Sequence, residues 1–318
     1  MLNALALIAT LYMAAAKAPP RLSVDTGRSA PERIGALVHK VGVFGTADRR
    51  TESEFAQENG KSVGQVRSRY AATGLLTCKS GKLTANMTLR NDLITTAAHA
   101  FYDTDTCQRI ARPESCTFSI RVGGKVQVAR VKRLESSGYK CPRLPSSADD
   151  WAVLRLERPI RGIAPYAIAG GRVEEGQNVT SVQAISNDFF DRSGARQART
   201  KALGKCSVRK LYRDNQRAPF LFGSDCDLAG GGSGGAIVDD RRGVPVLVGI
   251  NEGSDESNEA ENAAVDKGAA NSGFFVPGRW GAYHVPVAGS FSNAIRKAAK
   301  PVHPKRQKPQ HRTARSRN

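Results

Sequence analysis

Apolar positions in this chain come in short runs separated by clusters of Gly, Pro, Asn and Asp, and within the runs the β-branched residues alternate with polar ones. A period of two over such lengths predicts strands, not helices. Strands are expected at Val41–Phe44, Ala72–Cys78, Leu93–Thr96, Ala152–Leu156, Val179–Ala184, Ala236–Val238 and Val246–Ile250. Ile120 and Val122 alternate with polar neighbours, Gly123-Gly124 turns the chain, and Val126 and Val128 alternate on the return, which is a hairpin signature. The run Asp239-Asp240-Arg241-Arg242-Gly243 has the residues of a second turn, between the last two strands. Helical signal is scarce until Ser290–Ala299, where Ser290 or Ser292 is the expected cap. The pattern predicts an all-β fold.

The ends of the chain change this picture. Residues 2–16 are apolar apart from Asn3 and Thr10 and finish in Ala14-Ala15-Ala16, so residues 1–18 read as a signal peptide, although no Lys or Arg precedes the run. An N-terminal helix or a wrongly assigned start is the alternative. Pro19, Pro20 and Pro31 mark residues 19–40 as a linker or pro-segment. Residues 300–318 are basic and polar with almost no apolar partner and read as a disordered tail. No other stretch reaches the roughly 18 apolar residues of a membrane span. The six cysteines contain no CxxC pair, which argues against a zinc site; in an oxidising compartment they imply three disulfides, and six cysteines can pair in fifteen ways. The expectation is Cys206 with Cys226, the other four pairing among themselves. The net charge of +19 favours weak contact with polyanions, but no nucleic-acid motif accompanies it, so no specific nucleic-acid partner is expected. No cofactor or metal is expected either, and the chain reads as a secreted or periplasmic monomer.

Three segments carry chemistry. In Leu93-Ile94-Thr95-Thr96-Ala97-Ala98-His99 a β-branched strand ends in small residues and then a histidine, presenting an imidazole at a strand end. In Asp149-Asp150-Trp151-Ala152-Val153-Leu154-Arg155-Leu156 an acid directly precedes a buried strand, where its carboxylate can orient an imidazole. In Gly230-Gly231-Gly232-Ser233-Gly234-Gly235 glycines free main-chain N–H groups around an exposed hydroxyl, and Ile237 and Val238 follow at once, which a flexible linker would not have. Each segment alone has a bland reading: a structural histidine, a turn aspartate, a linker. Their order is His, Asp, Ser, which differs from the subtilisin and α/β-hydrolase orders.

Together these residues resemble the trypsin-like, chymotrypsin-fold serine peptidases, in particular the bacterial branch that includes the V8-like glutamyl endopeptidases. Val43-Phe44-Gly45-Thr46-Ala47-Asp48-Arg49 is similar to that branch's opening, and Asp225-Cys226-Asp227 to the stretch before its nucleophile loop. The resemblance implies two packed antiparallel six-stranded β-barrels over residues 41–292, with a short C-terminal helix. It implies His99, Asp150 and Ser233 as catalytic triad and the N–H groups of Gly231 and Ser233 as oxyanion hole. Ala100 and Gly232 depart from the animal pattern. Without an aspartate at 232, activation by a newly cleaved N-terminus has no partner. Asp227, six residues before Ser233, stands where the family has the base of the specificity pocket, and an aspartate there selects Lys or Arg. Gly249-Ile250-Asn251-Glu252-Gly253 matches the glutamyl branch's Gly-Ile-His-Trp-Gly without its histidine, so Asn251, Glu252 and Gly253 join Asp227 as substrate-binding residues and glutamyl preference is not expected. The acidic stretch with Asp255, Glu256, Glu259 and Glu261 would draw cationic substrate to that rim. The leading expectation is a secreted serine endopeptidase acting on proteins or peptides. The alternatives are a weak or silent protease fold binding anionic polymers through its basic surface, and an esterase on the same scaffold.

Overall fold

The computed structural model describes residues 49–142, 146–168, 173–184, 201–212, 221–228, 230–241, 243–254 and 281–301. The expected signal peptide, linker, strand Val41–Phe44, acidic stretch from Asp255 and all of the tail beyond Pro301 lie outside these residues.

Thirteen strands are formed among them. The first barrel is closed by β1 (Thr73–Cys78), β2 (Gly81–Met87), β3 (Leu93–Thr96), β4 (Thr117–Val122), β5 (Lys125–Ser137) and β6 (Ala152–Leu156), in the order β1-β2-β3-β6-β5-β4. After β7 (Ala167–Ile168), the second is built from β8 (Asn178–Ala184), β9 (Lys201–Tyr212), β10 (Leu221–Ser224), β11 (Ala236–Asp239), β12 (Val246–Ser254) and β13 (Ala282–Pro286). Its order is β11-β8-β9-β10-β13-β12, closed by the β11–β12 pair, with β7 joined in parallel to β12. Two closed six-stranded antiparallel barrels are thus present, as the resemblance implied. The aliphatic faces of their strands make the core, with Leu76, Ile94, Phe118 and Leu154 in the first barrel and Val182, Phe222, Ile237 and Ile250 in the second all excluded from solvent.

The Gly123-Gly124 hairpin forms with both glycines at positive φ (52° and 82°), which a two-residue turn of this hand requires. That turn pairs Val122 with Lys125, and therefore Ile120 with Gln127 and Phe118 with Ala129. Cross-strand partners share a face, so Ile120 and Phe118 put Ala129 and Val131 inward and leave Val126 and Val128 on the solvent side. The alternation of the two valines is real but belongs to the outer surface.

Two helices escaped the periodicity: α1 (Glu52–Glu58) and α2 (Val63–Arg69), each of seven residues. They are too short to display an apolar stripe; their signature is at the start. Thr51 and Glu54 form a reciprocal capping box, and Ser62 and Gln65 another. The pair precedes the first barrel but docks on the second: Arg50 and Leu203 exchange main-chain bonds of 2.7 and 2.9 Å, and Tyr70 donates its hydroxyl to Asp240 at 2.6 Å. At the other end α3 (Gly289–Ala299) lies on the first barrel, with Phe291 stacked on Trp151 at 4.9 Å and Ile295 buried, so the packed unit runs beyond residue 292. Neither Ser290 nor Ser292 caps it. The helix begins at Gly289 behind Ala288, which puts both serines within its first turn. Its last carbonyls are instead met by guanidinium groups, Arg155 on Ala298 and Arg90 on Ala299. Each terminal element straps the barrel to which it is not adjacent in sequence.

Candidate active site

Strand β3 ends at Thr96, and the buried small residues Ala97, Ala98 and Ala100 let the chain turn tightly into a single 3-10 turn that carries His99. A similar turn, Ser147–Asp149, delivers Asp150 to the start of β6. Strands β3 and β6 are neighbours, with Thr96 opposite Ala152, so the two turns emerge side by side. Asp150 is 1% exposed and its carboxylate takes two bonds from one residue: the main-chain N–H of His99 reaches Oδ1 at 2.8 Å and the ring Nδ1 reaches Oδ2 at 2.6 Å. This grip settles the ring's orientation, because Nδ1 faces the acid. Asp149 is turned away and accepts a bond from Ser146 at 2.9 Å.

Tyr139, which sequence reasoning missed, completes the surroundings of Asp150. Gly138 donates its N–H to the Trp151 carbonyl at 2.9 Å, which lays this segment beside 149–151. Burial and then the adjoining Asp150 carboxylate, to which the phenol hydrogen-bonds, push the Tyr139 hydroxyl far above its ordinary range.

Ser233 comes from the other barrel, on the loop before β11. It is half-exposed between buried glycines on both sides. The loop is seated on the first barrel by strand β2. The Thr84 N–H donates to the Ser233 carbonyl at 2.9 Å, the Thr84 hydroxyl to the Gly231 carbonyl at 2.9 Å, and the Asn86 amide to the Gly234 carbonyl at 2.7 Å. Gly234 sits at φ +77° with space for no side chain: a Cβ would lie 2.3 Å from the Thr84 carbonyl oxygen and 2.4 Å from the Thr96 hydroxyl. Since Thr96 and Ala97 lead into His99, this contact brings the serine loop against the histidine turn. Among the described residues the N–H groups of Gly231 and Ser233 make no internal hydrogen bond. Neither Thr84 nor Asn86 belongs to a motif; as polar residues buried within a strand they were the available signal.

The residues expected to contact substrate divide. Asn251 is fully buried, with its amide bonded to the Gly232 carbonyl at 3.2 Å and its carbonyl oxygen to His284 at 3.0 Å, so it lies behind the serine loop. Asp227 is 1% exposed, and its main-chain carbonyl accepts from Gln183 at 2.7 Å. Glu252 and Gly253 are half-exposed at the end of β12. Cys206 is bonded to Cys226, tying β9 to the segment ahead of the serine loop. Cys78 pairs with Cys116 and Cys107 with Cys141, both within the first barrel's half of the chain.

A family model described as trypsin-like peptidase domain matches residues 80–250, just over half of the chain. No curated protein sequence matches. Among solved structures, a Glu endopeptidase in complex with MPD aligns with a TM-score of 0.51 at 16% identity, covering 72% of this chain and 91% of its own. A thermostable serine protease from an extremophilic microorganism aligns with a TM-score of 0.48 at 15% identity, covering 73% and 98%. The likeness to the first is one of fold. With two closed barrels, an imidazole locked to a buried carboxylate and a glycine-flanked serine seated across from it, and with the family model spanning these elements, the chain belongs to the trypsin-like serine peptidases.

Proposed function

We propose that this peptidase cleaves peptide bonds through an acyl-enzyme on Ser233. The observation that carries the reading is the double contact of His99 with Asp150 beside the loop that holds Ser233. With Nδ1 committed to the carboxylate, Nε2 of His99 accepts the Ser233 proton as Oγ attacks the scissile carbonyl carbon. The carbonyl oxygen becomes an oxyanion and takes hydrogen bonds from the N–H groups of Gly231 and Ser233. Collapse breaks the C–N bond and the leaving amine carries off the proton from His99. Water then attacks the ester carbonyl, His99 takes its proton and returns it to Ser233 as the acid leaves. Asp150 stays ionised throughout and stabilises the imidazolium.

For the residue before the scissile bond we propose Lys or Arg. Asp227 stands at the pocket position and Glu252 adjoins the cleft strand, both acidic. The Glu endopeptidase whose fold this chain shares brings glutamyl cleavage as the competing reading. Against it, the histidine of this sheet, His284, is pushed by burial down to about 3 and offers no positive charge to a glutamate side chain. The peptidase unit runs from about residue 41 into the C-terminal helix. Three disulfides support action outside the cytoplasm, in the secreted or periplasmic space, on protein or peptide substrates.

The test is labelling of the purified protein with a fluorophosphonate and mass-spectrometric mapping of the adduct, followed by kinetics on matched peptides ending in Arg, Lys, Glu, Phe and Ala. An adduct on Ser233 and fastest turnover after Arg or Lys are expected. Absence of label removes the mechanism, and fastest turnover after Glu removes the specificity alone.

A further inference from the structure

Three buried polar side chains lie behind the serine loop on adjacent strands of the second barrel: Ser224 at the end of β10, His284 on β13 and Asn251 on β12. None is exposed. The β-ladder places Asn251 opposite His284, and Phe222 opposite His284 from the other side with the rings 4.8 Å apart, so the three groups share one face of the sheet.

The bonds among them admit one direction. The Gly232 carbonyl at the far end can only accept, which fixes the sense of every bond before it: the Ser224 hydroxyl, whose oxygen takes the Cys226 N–H at 3.1 Å, donates to Nε2 of His284 at 2.6 Å. Nε2 is then the acceptor nitrogen and Nδ1 carries the proton, which goes to the Asn251 carbonyl oxygen at 3.0 Å. That sets the amide of Asn251 with its N–H toward the Gly232 carbonyl at 3.2 Å. The Gly235 N–H reaches the same carbonyl at 2.8 Å. A protonated ring would have two donors and nothing to accept the Ser224 proton, and burial holds His284 neutral.

The end of this chain matters because the Gly232 carbonyl and the Ser233 N–H belong to one peptide. In a trans peptide the two point in opposite directions. Drawing the carbonyl inward turns the N–H outward. We propose that the relay from Cys226 through Ser224, His284 and Asn251 to Gly232 holds this peptide in the orientation that presents the Ser233 N–H to the oxyanion, and that His284 is a positioning residue for catalysis. The inference rests on the reading of Ser233 and its neighbouring amides given above. It gives a reason for burying a histidine among uncharged partners: an oxyanion donor is effective when it is aimed before charge develops, and neutral groups cannot lose their aim by titrating.

The relay adds no bond to bound substrate, so its loss falls on kcat and leaves KM in place. Deleting an oxyanion donor outright slows comparable enzymes by about 10²–10³-fold; releasing the peptide that carries it is expected to cost about 10–100-fold. His284→Phe removes both ring nitrogens at similar size and Asn251→Asp removes the donor to Gly232, and each is expected to show this loss in kcat at unchanged KM. His284→Asn keeps an N–H close to the Nδ1 position and is expected to recover activity to within about five-fold of the parent. Fluorophosphonate titration of each protein counts intact Ser233 sites, so that rates are expressed per competent site. A folded His284→Phe or Asn251→Asp protein with unchanged kcat overturns the relay, as does a loss confined to KM or a His284→Asn protein as slow as His284→Phe. If His284→Phe does not fold, Asn251→Asp decides by the same criterion. Failure of the parent protein itself to take the label at Ser233 overturns the reading of the site, and the relay with it.

Discussion

The two barrels meet the cleft in opposite electrostatic styles. From the first comes an imidazole held by an anion, His99 on the Asp150 carboxylate at 2.6 Å, with His99 mostly buried and Tyr139 completing the cage around the acid. From the second comes a serine loop backed by neutral, dry groups: Asn251, His284 and Ser224, with no ionised side chain in the hydrogen-bonded chain. The difference follows from what each side must do. A general base gains and loses a charge twice in each turnover, and a buried anion that stays ionised lowers the energy of the protonated state. Oxyanion donors must not change at all, and uncharged hydrogen bonds hold a peptide plane without responding to pH. Two histidines in one fold thus have contrasting surroundings: one ring faces an acid, the other an alcohol and an amide.

The largest expected break in this comparison is Ser233→Ala. It trims a half-exposed hydroxyl, so the melting temperature should be unchanged while hydrolysis of a peptide ester falls by about 10⁶-fold, read by initial rates. Next is Asp150→Asn, which leaves the contact in place but favours the wrong tautomer of His99, and should slow turnover by about 10⁴-fold. Asp149→Asn is its control: Asp149 faces Ser146, and the rate should stay within about two-fold. An equal loss from both would remove the distinction between the two acids.

The neutral side is sharpened by acid. His284 titrates near 3 in the fold and near its ordinary value when unfolded, so between these limits the unfolded chain binds the extra proton. Its contribution to stability is present above the unfolded pKa and is lost as pH falls from about 6.5 toward 3. Only Ser224, Asn251 and the Phe222 ring face it among the groups described, none of them charged. Denaturant midpoints measured from pH 7 to pH 4 should fall more steeply for the parent than for His284→Asn, by up to about 1.4 kcal/mol per pH unit. Parallel curves would show that His284 is protonated in the fold. Apart from the Asp149 control, the smallest effect is expected from Tyr139→Phe, which withdraws one donor from Asp150 while leaving both contacts from His99. A fall in kcat of about two- to ten-fold, with KM unchanged, is the expected result.

Much of the fold was legible because strand patterning is local. Leu93–Thr96 and Ala152–Leu156 form with the predicted bounds, and the Gly123-Gly124 turn announced its hairpin. Reading failed where the signal was too short or lay on the wrong face. The seven-residue helices α1 and α2 showed only their capping boxes, and Val126 and Val128 alternate in the open because the turn's register gave the inward face to Ala129 and Val131. At the candidate site, His99, Asp150 and Ser233 stood out by their flanking residues. For Asn251 the family pattern gives a position along the chain, and only the fold shows its side chain buried against Gly232 and His284.

Residue order and local chemistry were therefore enough to mark about half of the strands and the three segments bearing His99, Asp150 and Ser233, and those segments carried the resemblance to the trypsin-like class; β2, β9, β10 and β13 went unmarked. Direction and depth came only with closure of the barrels. Thr84 and Asn86 reach the serine loop from another barrel, Tyr139 meets Asp150 across a strand pair, and Ser224, His284 and Asn251 form a chain because β10, β13 and β12 lie side by side. These are contacts between residues far apart in sequence, made when two curved sheets bury their aliphatic faces, and the polar groups caught inside must then find partners across strands, because no water is left to serve them.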